Sequence, residues 1–304
     1  MLIIATSDKG GTGRSVTTCN VAYRQALHGS DVCYLDFDFG SPTSGAIFNV
    51  ENVTHGTPDG GLHSYLQGAR AEPHRVDVWT ESERSGQLAR PPGAGRLVLL
   101  PGDLSGGEFS MNAEVVDRCV KLLIRLQEEF DLVLMDLSAG RSHAAEMVLT
   151  ATALPQIREM GVRWLVYHRW TRQHVSSAAS LVYGKRGLLA AGAERGHDRD
   201  ELLDRIRFVR TAFVDPSGPG VAALRSTQET WLRRINEDLK ERARLAGLGR
   251  SMAIATVPLD PVLQWREQLI SDEDVWNGIA NQQTVDAFEE LAGAVLGEKE
   301  WTRL

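Results

Sequence analysis

The sequence predicts an α/β fold built on a mostly parallel sheet of about seven strands, with helices on both faces. Seven short runs are apolar almost throughout, instead of alternating with polar residues, which is typical of strands covered on both faces. They are Leu2–Ser7, Val32–Asp36, Leu97–Leu100, Leu132–Asp136, Trp164–Tyr167, Phe208–Phe213 and Ala253–Val257. Helical patterns separate these runs, and this alternation favours parallel strands joined by right-handed crossovers.

A single domain over residues 1–304 accounts for this pattern, which three stretches interrupt. Residues 51–96 are rich in Gly, Pro, Asp, Ser and His and predict a long excursion with one short helix near His63–Leu66. Residues 184–200 predict a surface loop. Residues 217–250 begin at a Gly-Pro-Gly turn and predict a long arginine-rich helix.

The composition favours a cytoplasmic protein. The chain has 304 residues, a formal net charge of −7 and three cysteines without paired zinc spacing. The acidic balance argues against a general polyanion binder, and no apolar run approaches the length of about 18 residues that a membrane helix needs. The first residues lack the basic region of a secretory signal and read as a strand. The eight histidines show no metal-ligand spacing.

A glycine-rich loop, Lys9-Gly-Gly-Thr-Gly-Arg-Ser15, joins the first predicted strand to a predicted helix. Backbone N–H groups converge in such a loop and the helix N-terminus adds positive potential, so the segment predicts a phosphate site. The strict P-loop pattern G-x-x-x-x-G-K-[ST] is not met, because Arg14 stands at the lysine position. A glycine-rich turn without a ligand is the alternative.

Carboxylates end two further predicted strands. Asp36 and Asp38 close the second strand, and Asp136 closes Leu132–Asp136 just before Leu-Ser-Ala-Gly140. The carboxyl ends of parallel strands meet at one edge of a sheet, beside the phosphate loop. Carboxylates there suit a cation and an attacking water. The alternative is a set of solvated acids at strand ends.

Together the three segments resemble the ParA/MinD/Mrp family of ATPases, whose deviant Walker A pattern is K-G-G-x-G-K-[ST]-[ST]. Lys9 matches the lysine that in that family reaches the partner's phosphates across an ATP-sandwich dimer. Arg14 and Val16 depart from the pattern, at the loop lysine and at the second hydroxyl residue. Arginine keeps the charge but is bulkier and forked, so we expect slow hydrolysis.

The resemblance implies a role for each matching residue. Lys9 and Asp38 would be catalytic, Asp38 by orienting the attacking water. Ser15, Asp36 and Asp136 would hold Mg²⁺. The segment Val257-Pro-Leu-Asp260 would pass the adenine. The residues expected to contact ATP are Gly10, Gly11, Thr12, Gly13, Arg14, Ser15, Val16, Asp215, Pro258 and Asp260.

The resemblance also implies a function, an ATP-dependent switch. ATP and Mg²⁺ would bring two copies together as a homodimer, the dimer would engage a partner, and hydrolysis would release it. Two other interpretations stay open. One is a non-hydrolysing relative that serves as a regulatory subunit of a larger complex, for example in defence or segregation. The other is a biosynthetic enzyme that phosphorylates a small substrate.

The kind of partner is less constrained. A protein partner is expected, and DNA is a second option through the arginine-rich residues 217–250. The bland interpretation of that segment is a solvated helix face, because Glu229, Glu237 and Glu241 are interspersed among its cations. Membrane-bound members of the family end in a basic amphipathic helix, whereas this chain ends in an acidic stretch, so no membrane partner is expected.

Overall fold

A computed structural model describes residues 1–84, 90–218, 221 and 224–302. In these residues eight strands form one sheet, with the order β3-β4-β2-β5-β1-β6-β7-β8. The strands are β1 Leu2–Thr6, β2 Val32–Phe37, β3 Val76–Asp77, β4 Leu97–Leu100, β5 Leu132–Leu137, β6 Val162–Arg169, β7 Ile206–Phe213 and β8 Ala253–Pro258. Neighbouring strands run parallel, except for the antiparallel pair β3–β4.

Helices connect the strands and cover the sheet. Their bounds are α1 Arg14–Leu27, α2 Ser44–Ile47, α3 Leu62–Leu66, α4 Val78–Glu81, α5 Ala113–Glu129, α6 His143–Ala153, α7 Pro155–Arg158, α8 Arg172–Tyr183, α9 Leu188–Glu194, α10 Arg199–Asp204, α11 Ser226–Leu245, α12 Val262–Trp265, α13 Asp272–Trp276 and α14 Gln282–Leu296. Short 3₁₀ turns lie at Glu51–Val53 and Lys299–Trp301. No helix in the described residues has both the length and the apolar character needed to cross a membrane.

The core lies on both faces of the sheet. In β1, Leu2 and Ile4 pack into one apolar cluster together with α5, while Ile3 and Ala5 pack into a second cluster together with α1 and α14. Successive side chains of a strand point to opposite faces, so a strand buried on both faces must be apolar throughout. This explains the continuous apolar runs, and the predicted fold class is confirmed.

The structure corrects three details of the prediction. The excursion at 51–96 contains a second short helix, α4, besides the one that was expected. An eighth strand, Val76–Asp77, lies in the excursion. It was not predicted because two residues are too few to show a hydrophobic periodicity. The predicted surface loop at 184–200 contains α9, whose Leu188 and Leu189 are buried. The short helix expected near His63–Leu66 is present as α3, and α11 supplies the long arginine-rich helix. Residues 219 and 220 of the expected Gly-Pro-Gly turn lie outside the described residues.

Candidate nucleotide site

The loop between β1 and α1 has the backbone of an anion site. Gly11 and Gly13 adopt left-handed conformations, with φ of +68° and +73°, which favour glycine because a Cβ is strained there. Gly13 is the N-cap residue of α1, and no side chain caps this helix. The first turn also contains no acidic residue. The N–H groups of that turn and the positive end of the helix dipole are therefore available to an anion.

Two hydroxyl groups outside the predicted motifs support the loop. Ser7 Oγ donates to the Lys9 carbonyl at 3.0 Å, and Thr211 Oγ1, on β7, donates to the Thr12 carbonyl. Both side chains are buried. Sequence reasoning missed them, because a single hydroxyl residue at a strand end carries no motif of its own.

Two cavities flank the loop. The first, here called the acidic cavity, has a volume of about 420 Å³ and is lined by residues 10–16 with Asp38 and Thr43. The second, here called the β8 cavity, has a volume of about 260 Å³ and is lined by Gly11–Gly13, Ala212 and Pro258. Their sizes bracket the lower end of the range of small-molecule sites, about 300–1,000 Å³. A phosphate chain on the loop would have space on either side.

The side chain of Arg14 turns into the acidic end of the sheet. Its Nε donates to Asp136, its Nη2 donates to Asp38 at 3.0 Å and to Ser15 Oγ at 3.4 Å, and its Nη1 donates to Ser7 Oγ at 3.2 Å. The side chain is 6% exposed. Burial opposes its charge, but Asp136 and Asp38 outweigh burial and hold the pKa of Arg14 above its ordinary value. The guanidinium therefore bridges both carboxylates as a permanent cation.

Asp36 has a different set of partners. Its Oδ2 accepts from the N–H groups of Thr43 and Ser44 at 3.1 and 3.0 Å and from Ser44 Oγ at 2.5 Å. Its Oδ1 accepts from the Asp38 N–H at 3.2 Å. Burial, reinforced by the charge of Asp136, raises the pKa of Asp36 to about 7. Asp36 thus holds the turn that begins α2.

The groups expected to hold Mg²⁺ do not fit the ion in this arrangement. Mg²⁺ requires near-octahedral oxygen ligands, whereas Asp136 and Ser15 Oγ both face the Arg14 guanidinium. The Asp36 carboxylate is taken by the turn at Ser44. Among the described residues, no group of three or more His, Cys, Asp or Glu side chains is arranged to hold a metal. The Arg14 guanidinium lies among these oxygens, at the place where the expected ligand set would hold Mg²⁺.

Comparison with known proteins places the fold. No family model matches the chain. The septum site-determining protein MinD of Synechocystis sp. is 27% identical over 140 residues, which are 46% of this chain and 45% of that protein, so the chain spans about half the length of that relative. The MinC:MinD cell division complex of Aquifex aeolicus superposes with a TM-score of 0.61 at 16% identity, over 98% of this chain and 96% of that chain. The chain has the fold of the ParA/MinD-like P-loop ATPases and is similar in sequence to MinD over about half of its length.

A second solved structure supports the same fold. A plasmid partition protein from Borrelia burgdorferi, bound to AMPPNP, superposes with a TM-score of 0.58 at 14% identity and covers 97% of both chains. The resemblance recognised in the sequence is confirmed. The roles of individual residues in the loop stay predictions.

The three residues expected near the nucleotide base, Asp215, Pro258 and Asp260, do not all lie in one place in this ParA/MinD-like fold. Pro258 lines the β8 cavity. Asp260 also lines it, but Asp260 is buried and accepts from the Val262 and Asn281 N–H groups at 3.1 and 2.9 Å and from Thr284 Oγ1 at 2.7 Å. Asp215 is exposed, accepts from the Ser217 N–H at 2.9 Å and is not among the residues that line the β8 cavity. Its expected contact with a base stays a prediction.

The remaining ParA/MinD-like positions lie at the mouth of the loop. Lys9 is half-buried, and no acceptor in the described part of the chain takes its ammonium group. Gly140, in the left-handed region with φ of +81°, donates its N–H to the Ser7 carbonyl at 2.7 Å. The segment after β5 is therefore tied to the start of the loop, on the side of the acidic cavity.

Proposed function

We propose that this chain binds ATP on the glycine loop and acts as an ATP-dependent dimerising switch that controls a partner and hydrolyses ATP slowly. The observation that carries the proposal is the loop itself, an uncapped helix N-terminus with left-handed Gly11 and Gly13 beside two cavities. This arrangement suits a chain of phosphates. The AMPPNP bound to the Borrelia burgdorferi relative supports the choice of nucleotide.

Slow hydrolysis follows from the environment of Asp38. A carboxylate that orients an attacking water needs an oxygen directed at that water, but Asp38 Oδ2 accepts from Arg14 at 3.0 Å. Val16 also lacks the hydroxyl that the family pattern places there. We expect turnover well below about 1 s⁻¹, the lower end of typical enzymes.

A protein partner is the form of control that we propose, and the MinC:MinD complex supports it by analogy. The DNA alternative relied on the arginine-rich segment. Three cations of α11 pair with glutamates of the same helix: Arg233 with Glu229 at 2.6 Å, Lys240 with Glu237 at 2.8 Å and Arg244 with Glu241 at 2.6 Å. Such pairs reduce the charge available to phosphates and favour the interpretation of a solvated face.

Calorimetry with ATP tests the proposal. We expect saturable binding, and at about 100 times Kd the bound ligand should raise the free energy of unfolding by about 2.7 kcal/mol. Gly13→Ala should abolish binding, because a side chain is strained at that φ and the loop must shift. Gly196→Ala is the matched control, since Gly196 is also left-handed, at φ +95°, and has open space around it. A wild-type protein that gives no heat at millimolar ATP contradicts the proposal.

A further inference from the structure

We infer that the Arg14 guanidinium takes the place of Mg²⁺, so that the loop binds nucleotide phosphates without a divalent cation. This inference rests on the nucleotide binding proposed above. It concerns the chemistry of the same site, namely which cation neutralises the carboxylates beside the phosphates.

The contacts of Arg14 are those expected of a resident cation. One guanidinium reaches Asp136, Asp38 and the hydroxyl of Ser15, which are oxygens that a metal ion at this edge of the sheet would use. In a fourth contact, Arg14 Nη1 donates to Ser7 Oγ at 3.2 Å. Guanidinium is planar, always charged and carries five N–H donors, so it can satisfy several oxygens at once.

Displacing this cation would be unfavourable. The Arg14 side chain is 6% exposed and that of Asp136 is 1% exposed. A metal that took Asp136 and Asp38 would leave the guanidinium buried without its counter-charges, and an unpaired buried charge is strongly disfavoured. A lysine at position 14 would have a shorter reach to these oxygens and a flexible stem that can turn towards the phosphates. The substitution at position 14 therefore changes the cation of the site and not only the shape of the loop.

The third carboxylate of the site, that of Asp36, is also unavailable to a metal. Asp36 lies beside Asp136 in the sheet, but Ser44 and the neighbouring N–H groups occupy it. The phosphates themselves would face the amides of residues 10–15 and the N-terminus of α1. None of these groups needs a metal to be positively polarised.

The first test compares ATP affinity in Mg²⁺ and in EDTA. For the wild-type protein we expect the two Kd values to agree within about threefold, which corresponds to less than half of the 1.4 kcal/mol of a tenfold change. For Arg14→Lys we expect binding to weaken by more than about tenfold in EDTA, because the released carboxylates then require a metal. Arg24→Lys is the matched control: Arg24 is also a buried arginine of α1, but it pairs with Asp272 and Glu289. For Arg24→Lys the ratio of the Kd in EDTA to the Kd in Mg²⁺ should equal that of the wild type.

The second test needs no nucleotide and uses Mn²⁺ as the probe, with bound ion measured by electron paramagnetic resonance. We expect Arg14→Ala, checked for folding by circular dichroism, to bind one Mn²⁺ that Asp136→Asn in the same background removes. The wild type should bind none at the same concentration.

The outcomes separate the two proposals. A wild-type protein that binds ATP only with Mg²⁺, or that binds Mn²⁺ through Asp136, overturns the inference, as does an Arg14→Ala protein without bound Mn²⁺. A wild-type protein that binds ATP in neither buffer overturns the proposed function, while the Mn²⁺ result still decides whether Arg14 occupies a cation site.

Discussion

Asp36 and Asp136 lie opposite each other in register on neighbouring strands, yet their carboxylates accept from different parts of the chain. Asp136 accepts from Arg14 at the start of α1, whereas Asp36 accepts from Ser44 at the start of α2. The two carboxylates therefore have different structural roles at this edge of the sheet. Asp136 holds the Arg14 guanidinium beside the glycine loop. Asp36 holds the turn at Ser44, which forms part of the wall of the acidic cavity.

Ser44→Ala should destabilise the protein in a pH-dependent way. Ser44 is buried, and the pKa of Asp36 is raised to about 7, so its carboxyl is protonated at pH 5.5 and ionised at pH 8.5. A hydrogen bond to a charged group is worth about 1.5–3 kcal/mol and one to a neutral group about 0.5–1.5 kcal/mol. We expect a loss of about 2 kcal/mol at pH 8.5 and about 1 kcal/mol at pH 5.5, measured by urea denaturation.

Ser41→Ala is the control for this measurement. Ser41 is exposed in the same segment, and its substitution should change the free energy of unfolding by less than about 0.5 kcal/mol at either pH. An equal cost of Ser44→Ala at both pH values would show that Asp36 does not titrate between them.

Asn20→Ala should destabilise the protein and loosen the segment that borders both cavities. Asn20, on α1, is fully buried, donates to the Gln268 carbonyl at 3.1 Å and accepts from the Ile270 N–H at 2.8 Å. Glu267, next to this segment, lines both cavities. Leaving a buried N–H and a buried carbonyl without partners costs about 1–3 kcal/mol each. We expect a loss of about 2–6 kcal/mol in urea denaturation and faster amide exchange at Ile270.

Gln282→Ala provides the comparison. Gln282 is exposed and pairs only locally, with Asp286 on the same helix. Its loss should be below about 0.5 kcal/mol. If Asn20→Ala were equally mild, the two contacts to residues 268 and 270 would not form in solution.

The sheet and the positions of the motifs could be predicted from the sequence because each rests on a local pattern. The continuous apolar runs revealed strands buried on both faces, and the loop glycines gave the place of the anion site. The partners of Arg14 could not be read in this way. They depend on the register of β5 beside β1, which brings Asp136 opposite Ala5 although the two residues are far apart in the chain.

Asn20 illustrates the same limit. It occurs within a helical pattern and has no motif, and its partner Ile270 is 250 residues away. Likewise, α9 was missed because small residues and glycines between Gly184 and Arg199 resemble a loop in composition. Leu188 and Leu189 nevertheless pack into the core, and the helix they begin is rich in Leu and Ala, which are strong helix formers.

His168 should make stability depend on pH below neutrality. It lies on β6, is 1% exposed, donates from Nδ1 to the Arg169 carbonyl and leaves Nε2 without a partner among the described residues. Burial, with the charge of Arg210 adding to it, lowers its pKa to about 4. The unfolded chain, with a pKa of about 6.5, then binds more protons as the pH falls, so this contribution is complete above pH 6.5 and is lost progressively below it.

Comparison with His168→Phe isolates the effect. The wild type should lose about 2 kcal/mol more stability than this variant between pH 8 and pH 5, as measured by urea denaturation, because every other ionisable group is common to the two proteins. Parallel stability profiles for the two proteins would show that His168 is not held neutral.

Lys9→Ala should separate assembly from nucleotide affinity. Lys9 is half-buried at the mouth of the loop, with no acceptor in the described residues, while its neighbour Asp8 is paired with Arg141 at 3.2 Å. A lysine that reaches towards a facing subunit offsets repulsion between two bound nucleotides, so its charge acts only in the dimer. We expect ATP to shift the wild type from monomer to dimer in light scattering, and Lys9→Ala to lose this shift while it still binds ATP in calorimetry.

In the alternative, Lys9 contacts the phosphates of the nucleotide bound to its own chain and replaces the lysine that is absent at position 14. Under that alternative Lys9→Ala would abolish ATP binding, and the oligomeric state of the wild type would not respond to ATP. Lys121→Ala is the control for a lost positive charge, because Lys121 is 68% exposed and pairs with Asp117 on α5. It should leave both readouts unchanged. Loss of binding and of dimerisation together would assign Lys9 to its own site, since a lysine that acts only across the dimer leaves the affinity of the monomer intact.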